Sequence, residues 1–82
     1  MADTLGTEAL VSYLVMSLVD VPDAVSIETK ESDETLTFEI TLDPSDVGKV
    51  IGRQGRIIKA IRTLARAAGS SASRHVEVEV LG

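Results

Sequence analysis

Cysteine and tryptophan are both absent from this 82-residue chain. Without thiols there is no disulfide scaffold and no zinc site built on thiolates, and the absence fits a reducing compartment. Aromatic side chains amount to Tyr13 and Phe38, and histidine to His75. A surface that stacks successive nucleic-acid bases on aromatic rings needs more than that. Long apolar runs are missing too. Ala9 to Val19 carries no charge, but it spans 11 residues, against the roughly 20 of a membrane-spanning helix. The N-terminus has Asp3 and Glu8 and no basic residue before Lys30, so it lacks the start of a secretory signal. Together these lead us to expect one free-standing domain, residues 1–82, in the cytoplasm and away from membranes.

Carboxylates are missing from one long stretch. Between Val47 and Val76 there is no Asp or Glu, while Lys49, Arg53, Arg56, Lys59, Arg62, Arg66 and Arg74 all lie there. Residues 1–46 hold 11 acidic residues and one basic residue. The net charge of −5 hides this division. Such a split predicts one basic face suited to an anion and one acidic face that discourages indiscriminate contact. The bland alternative is a solvated helix with unused charges, but such surfaces usually mix signs.

What is present alternates in a readable order. Thr7 suits the N-cap of a helix beginning at Glu8. Leu10, Val11, Leu14, Val15 and Leu18 share one helical face, which Tyr13 and Met16 widen. That width means either deep burial or a surface shared with a second subunit. Pro22 disfavours helical geometry at Val21. Val25, Ile27 and Thr29 then alternate with polar residues, as do Leu36, Phe38, Ile40 and Leu42. The polar Ser32-Asp33-Glu34 between them predicts an antiparallel hairpin. Asp43 and Pro44 start a short helix that stops at Gly52. Gly55 opens another, running to about Ala68, with Ile57, Ile58, Ile61, Leu64, Ala65 and Ala68 on one arc. Arg56, Lys59, Arg62 and Arg66 occupy a separate arc. Gly69 is a natural stop, and Ser70-Ser71-Ala72-Ser73 a loop. Val76, Val78 and Val80 form a last strand. The predicted class is α+β, in the order α-β-β-α-α-β. It has a three-stranded sheet with three helices packed on one face, and a crossover long enough for parallel pairing of 35–42 with 75–81.

The chemistry concentrates where the second helix meets the third. A bare GxxG means little, since one arises by chance about 0.4 times in a chain of this length. Here it lies between Val47, Val50 and Ile51 on one side and Ile57, Ile58 and Ile61 on the other. A turn bounded by glycines lets a sugar-phosphate backbone approach the main chain without meeting a Cβ. The helix that follows offers free N–H groups and a partial positive charge. Arg53 and Gln54 add donors at the tip, and Lys49, Arg56 and Lys59 flank it. A helix corner needing glycine only for packing is the competing reading.

Other constellations carry less. Gly48-Lys49 is not a Walker loop, because Asp43 and Val50 stand where glycine and Ser or Thr are required. His75 near serines lacks a nucleophile's setting, and a strand-edge histidine is usually structural. Capping accounts for Asp43 and Asp46 better than a metal pair does. Phe38 belongs to a strand's apolar set. We expect no enzyme, no metal, no cofactor and no small-molecule substrate.

The run Val47-Gly48-Lys49-Val50-Ile51-Gly52-Arg53-Gln54-Gly55-Arg56-Ile57-Ile58 resembles the VIGxxGxxI signature of KH domains. The element order resembles their type II arrangement, and the length and N-terminal helix are similar to the KhpA/YlqC family of small bacterial KH proteins. The resemblance implies that Gly52, Arg53, Gln54 and Gly55 grip about four nucleotides of single-stranded RNA. It implies an apolar floor of Val50, Ile51 and Ile58 under the bases. Lys49, Arg56, Lys59, Arg62 and Arg74 join the expected RNA-contacting set. The resemblance further implies a post-transcriptional regulator or RNA chaperone, self-association as a homodimer, and a larger Jag/KhpB-type KH partner. It connects the family to cell elongation and division. The alternative is a protein-interaction module that keeps the fold mainly for dimerisation. With three to four phosphate contacts the expected salt slope is about −2 to −3, and affinity from one copy is expected to be weak.

Overall fold

The structure, a computed structural model, describes residues 2–68 and 75–81. It begins with helix α1 (Ala2–Met16), followed by a 3-10 turn at Pro22–Ala24. Strands β1 (Ser26–Glu31) and β2 (Thr35–Thr41) come next, then a 3-10 turn at Pro44–Asp46. Helix α2 (Val47–Ile51), a 3-10 turn at Arg53–Gly55, helix α3 (Arg56–Ala68) and strand β3 (His75–Leu81) complete the order. The expected stop at Gly69, the loop Ser70–Ser73 and Arg74 lie outside the described residues.

The sheet runs β1-β2-β3. β1 and β2 are antiparallel, closed by the Ser32 amide donating to the Thr35 carbonyl at 2.8 Å. β2 and β3 are parallel, as the long crossover allows. Alternation decides the faces. Leu36, Phe38, Ile40 and Leu42 point inward with Val76 and Val78, and the helices supply Val11, Val15, Val50, Ile58, Ile61 and Ala65. The other face places Glu28, Glu39 and Glu79 side by side across the three strands. Lys30 offsets part of that charge through Glu39 at 3.2 Å. The charge split of the sequence is therefore spatial: an acidic open sheet lies opposite cationic helices.

Three expectations change. α1 starts before Glu8, and Thr7 is no cap but a fully buried residue inside the helix. Thr7, Val11 and Val15 stand four apart, so Thr7 extends the buried stripe, and burial overrides its capping preference. Tyr13 and Met16 widen the apolar face outward, at 70% and 44% exposure, so deep burial is not their role. On α3, Ile58, Ile61 and Ala65 meet the sheet, while Leu64 and Ala68 stay exposed. Ile58, Ile61 and Ala65 follow the narrow i, i+3, i+7 stripe that faces one sheet, and Leu64 falls to its flank.

Candidate nucleic-acid interface

The turn between α2 and α3 is built on backbone geometry that ordinary residues avoid. Gly52 has φ 77° and ψ 170°, and Gly55 has φ 73°. Gln54 between them is left-handed as well, at φ 59° and ψ 24°. Gly52 also touches its neighbour closely: a Cβ there would lie 2.6 Å from Cγ1 of Ile57. Gly55 has open space, with its nearest neighbour Cγ2 of Ile58 at 3.9 Å. One glycine is thus required by conformation and contact, the other by conformation alone. The Gly52 amide closes α2 on the Gly48 carbonyl at 2.9 Å, and the Gly55 amide donates to the Gly52 carbonyl at 3.1 Å. Gly55 precedes α3 rather than opening it, and the Arg56 amide at the start of α3 donates to the Arg53 carbonyl across the 3-10 turn.

The cations divide by what they touch. Arg53 and Lys59 are exposed, and among the described residues neither meets a carboxylate. Arg56 is exposed too and donates from Nη2 to Oε1 of Gln54 at 3.3 Å, steadying the tip. Arg62 and Arg66 turn instead toward the free edge of β3. Their Nε atoms donate to the carbonyls of Val78 and Val76, each at 3.3 Å. A polarised edge strand attracts guanidinium donors, so the basic arc is not one solvated stripe. Between α3 and β3 lies a cleft of about 260 Å³ lined by Arg62, Arg66, Glu77, Val78 and Glu79. Ile51 is half-buried, but Val50 is fully buried and Ile58 nearly so. Those two form the foundation beneath the turn rather than an open floor.

Lys49 is exposed, but its ammonium is committed to carboxylates of its own chain. It pairs with Asp20 and lies 3.2 Å from Oδ1 of Asp46. The hydrogen bond with Asp20, then that with Asp46, holds the ammonium above its ordinary pKa. Asp46 is fully buried. Its carboxylate accepts from the Asp20 amide at 3.1 Å and the Val21 amide at 3.0 Å. Asp43 caps as expected, accepting from the Ser45 amide at 2.9 Å. Asp46 does not cap its own helix. It pins the segment after α1 to the start of α2, and so fixes the direction from which the turn emerges. Sequence reasoning missed this contact because the partners stand 25 and 26 residues apart. The only local hint is a lysine three positions after the aspartate.

The Asp20 amide, with help from Val21 and Lys49 and against burial, lowers the Asp46 pKa. A carboxylate depressed on folding stabilises above its unfolded pKa, and that contribution fades as pH falls below about 3.9. Asp46→Asn should therefore lower the unfolding temperature at pH 7 by about 5–10 °C. The gap to the unsubstituted protein should narrow between pH 4 and pH 2. Parallel melting curves across that range would contradict the assignment.

With the geometry described, comparison with known proteins adds a family. The sequence profile described as "KhpA/KhpB, KH domain" matches residues 8–80. A Listeria monocytogenes protein named RNA-binding protein KhpA is 43% identical over 74 residues, covering 90% of this chain and 97% of that protein. One of the same name from Borreliella burgdorferi is 43% identical, covering 88% of each chain. A third, from Bacillus subtilis, is 42% identical, covering 89% of this chain and 90% of that protein. No solved structure matches. A glycine-bounded turn between α2 and α3, an α+β order closed by a parallel β3, and a family match over residues 8–80 agree: the chain belongs to the KhpA/KhpB family of KH-domain proteins.

Proposed function

We propose that the chain binds single-stranded RNA at the Gly52–Gly55 turn, with the phosphate backbone along the turn and the bases directed into the α3–β3 cleft. The observation that carries this reading is the turn itself, where left-handed backbone and the N-terminus of α3 converge beside Arg53, Arg56 and Lys59, none paired with a carboxylate among the described residues. The relatives' printed name, RNA-binding protein, supports it. The Arg53 and Gln54 side chains and the positive end of α3 take phosphates. The cleft mixes two guanidinium groups with Glu77 and Glu79. Such a lining suits base edges, which offer both donors and acceptors, better than it suits phosphate. Lys49, tied to Asp20 and Asp46, positions α2 instead of reaching the strand.

Binding should show in the amide spectrum of labelled protein titrated with an unstructured RNA. Shifts should concentrate at residues 52–59 and 76–80 and spare Glu28 and Lys30 on the open sheet. About three phosphate contacts give a log–log salt slope near −2. Shifts centred on the acidic sheet, or a slope near zero, would refute the reading.

The second part of the proposal concerns partners. Tyr13, Leu14, Leu18, Ile57, Ile61 and Leu64, with Arg56 at one end and the small Ser17 and Ala60 between, line a largely apolar groove of about 460 Å³ between α1 and α3. Projecting Tyr13 and Leu64 stand beside the small Ser17 and Ala60, so one patch carries both knob and hollow, as a two-fold contact needs. We assign the groove to a second copy of this chain, with the KhpB-type protein of the family name as the competing occupant. Leu64→Asp, at a position 46% exposed, should make the chain sediment as a monomer and leave its melting temperature within about 3 °C. A dimer that survives this change would move the interface elsewhere. The cellular role that follows is a cytoplasmic post-transcriptional regulator or RNA chaperone acting beside a second KH protein.

A further inference from the structure

We propose that the α3–β3 cleft selects guanine, with Glu79 reading the donors of the base and Arg62 and Arg66 its acceptors. This rests on the RNA reading above and names the base that reading leaves open. Parallel pairing turns the backbone groups of every second residue of β3 outward. The His75 amide bonds inward, to the Glu34 carbonyl at 2.8 Å, so the carbonyls of Val76 and Val78 face the free edge. Arg66 and Arg62 take those two carbonyls through Nε. Each guanidinium is thereby fixed in place, with its Nη groups left as donors.

The side-chain acceptors in the lining are Glu77 and Glu79. Glu77 is engaged by His75, whose Nε2 lies 3.2 Å away. Glu79 is exposed, and among the described residues it meets no cation. Neither arginine closes on it, although all three line one cleft. Its cross-strand neighbour is Glu39, a like charge whose repulsion an incoming donor relieves. Opposite charges that share a cleft without pairing suit a ligand with acceptors on one side and donors on the other. The cleft, at about 260 Å³, is smaller than the roughly 300–1,000 Å³ pockets of drug-sized ligands, which limits it to a single base. Guanine has the matching edges. Its N1–H and N2–H stand side by side and can both donate to one carboxylate, while O6 and N7 form the pair that arginine binds. Adenine sets its N1 acceptor against the carboxylate. Uracil flanks its single N–H with two carbonyl oxygens. Cytosine offers one amino group and loses the paired contact.

The test measures affinity for octauridine and for octamers in which one central uridine is replaced by guanosine, adenosine, cytidine or inosine. The guanosine strand should bind about tenfold more tightly than the other natural strands. Inosine, which lacks the N2 amino group, should lose most of that gain. Glu79→Gln should bring the affinities for the guanosine and adenosine strands close together, a ratio that a merely structural role would not move. The inosine comparison needs no variant and decides the matter should Glu79→Gln melt early. Equal affinity for all strands, inosine bound as tightly as guanosine, or a guanosine preference that a normally melting Glu79→Gln retains would overturn the guanine assignment and leave the RNA reading intact. A chain that binds none of the strands would overturn both.

Discussion

Gly52→Ala should lower the unfolding temperature by about 15–25 °C and abolish RNA binding with it. The backbone at φ 77°, ψ 170° lies in a region almost reserved for glycine, where another residue costs about 1–3 kcal/mol. The new methyl would meet Ile57 at Cγ1, Cβ and the backbone nitrogen, at 2.6, 2.9 and 2.9 Å. A rotamer change can move Cγ1, but it cannot move the nitrogen. Overpacking of that kind costs about 1–3 kcal/mol more. The sum, about 2–6 kcal/mol, is a large share of the roughly 4–12 kcal/mol expected of a domain this size. Gly55→Ala makes the contrast. It shares the positive φ, but its nearest contact is 3.9 Å away. Its loss should be about 1–2 kcal/mol. Calorimetry on the two variants separates contact from conformation, and equal losses would contradict the role given to Ile57.

Most of the fold is legible in the sequence because its strands alternate cleanly and its turns use Pro22, Asp43 and Gly52. The hairpin, the parallel β2–β3 pairing and the helix pair all follow from period and connection length. The start of α1 is less legible. Thr7 is both a good cap and a small residue that can be buried, and only the packed structure chooses between them. Leu64 shows the same limit on α3. An apolar residue at the edge of an arc is core or surface depending on how wide a neighbour lies opposite.

The site divides in the same way. The turn and its flanking cations stand in one continuous run of residues, so local pattern suffices to find them. What each cation does depends on distant partners. Lys49 sits three residues before Gly52, yet Asp20 draws it away from the turn. Arg62 and Arg66 share a helical face with Lys59, yet the edge of β3 takes their Nε donors. Val50 and Ile58 are apolar and next to the turn, but the sheet buries them. Composition marks a basic segment, and only tertiary contact tells which of its charges remain available.

Affinity for an unstructured RNA, measured on the Arg53→Asp, Gln54→Asp double variant beside its melting curve, tests the central claim most directly. Both side chains are exposed, and neither Arg53 nor Gln54 meets a carboxylate among the described residues. Aspartate tolerates the left-handed backbone at position 54, so the fold should hold and the melting temperature stay within about 3 °C. The exchange turns one positive charge at the tip into two negative ones. We predict at least about a 100-fold loss of affinity and a salt slope closer to zero. An unchanged affinity in a variant that melts normally would mean that phosphates are held somewhere other than this turn.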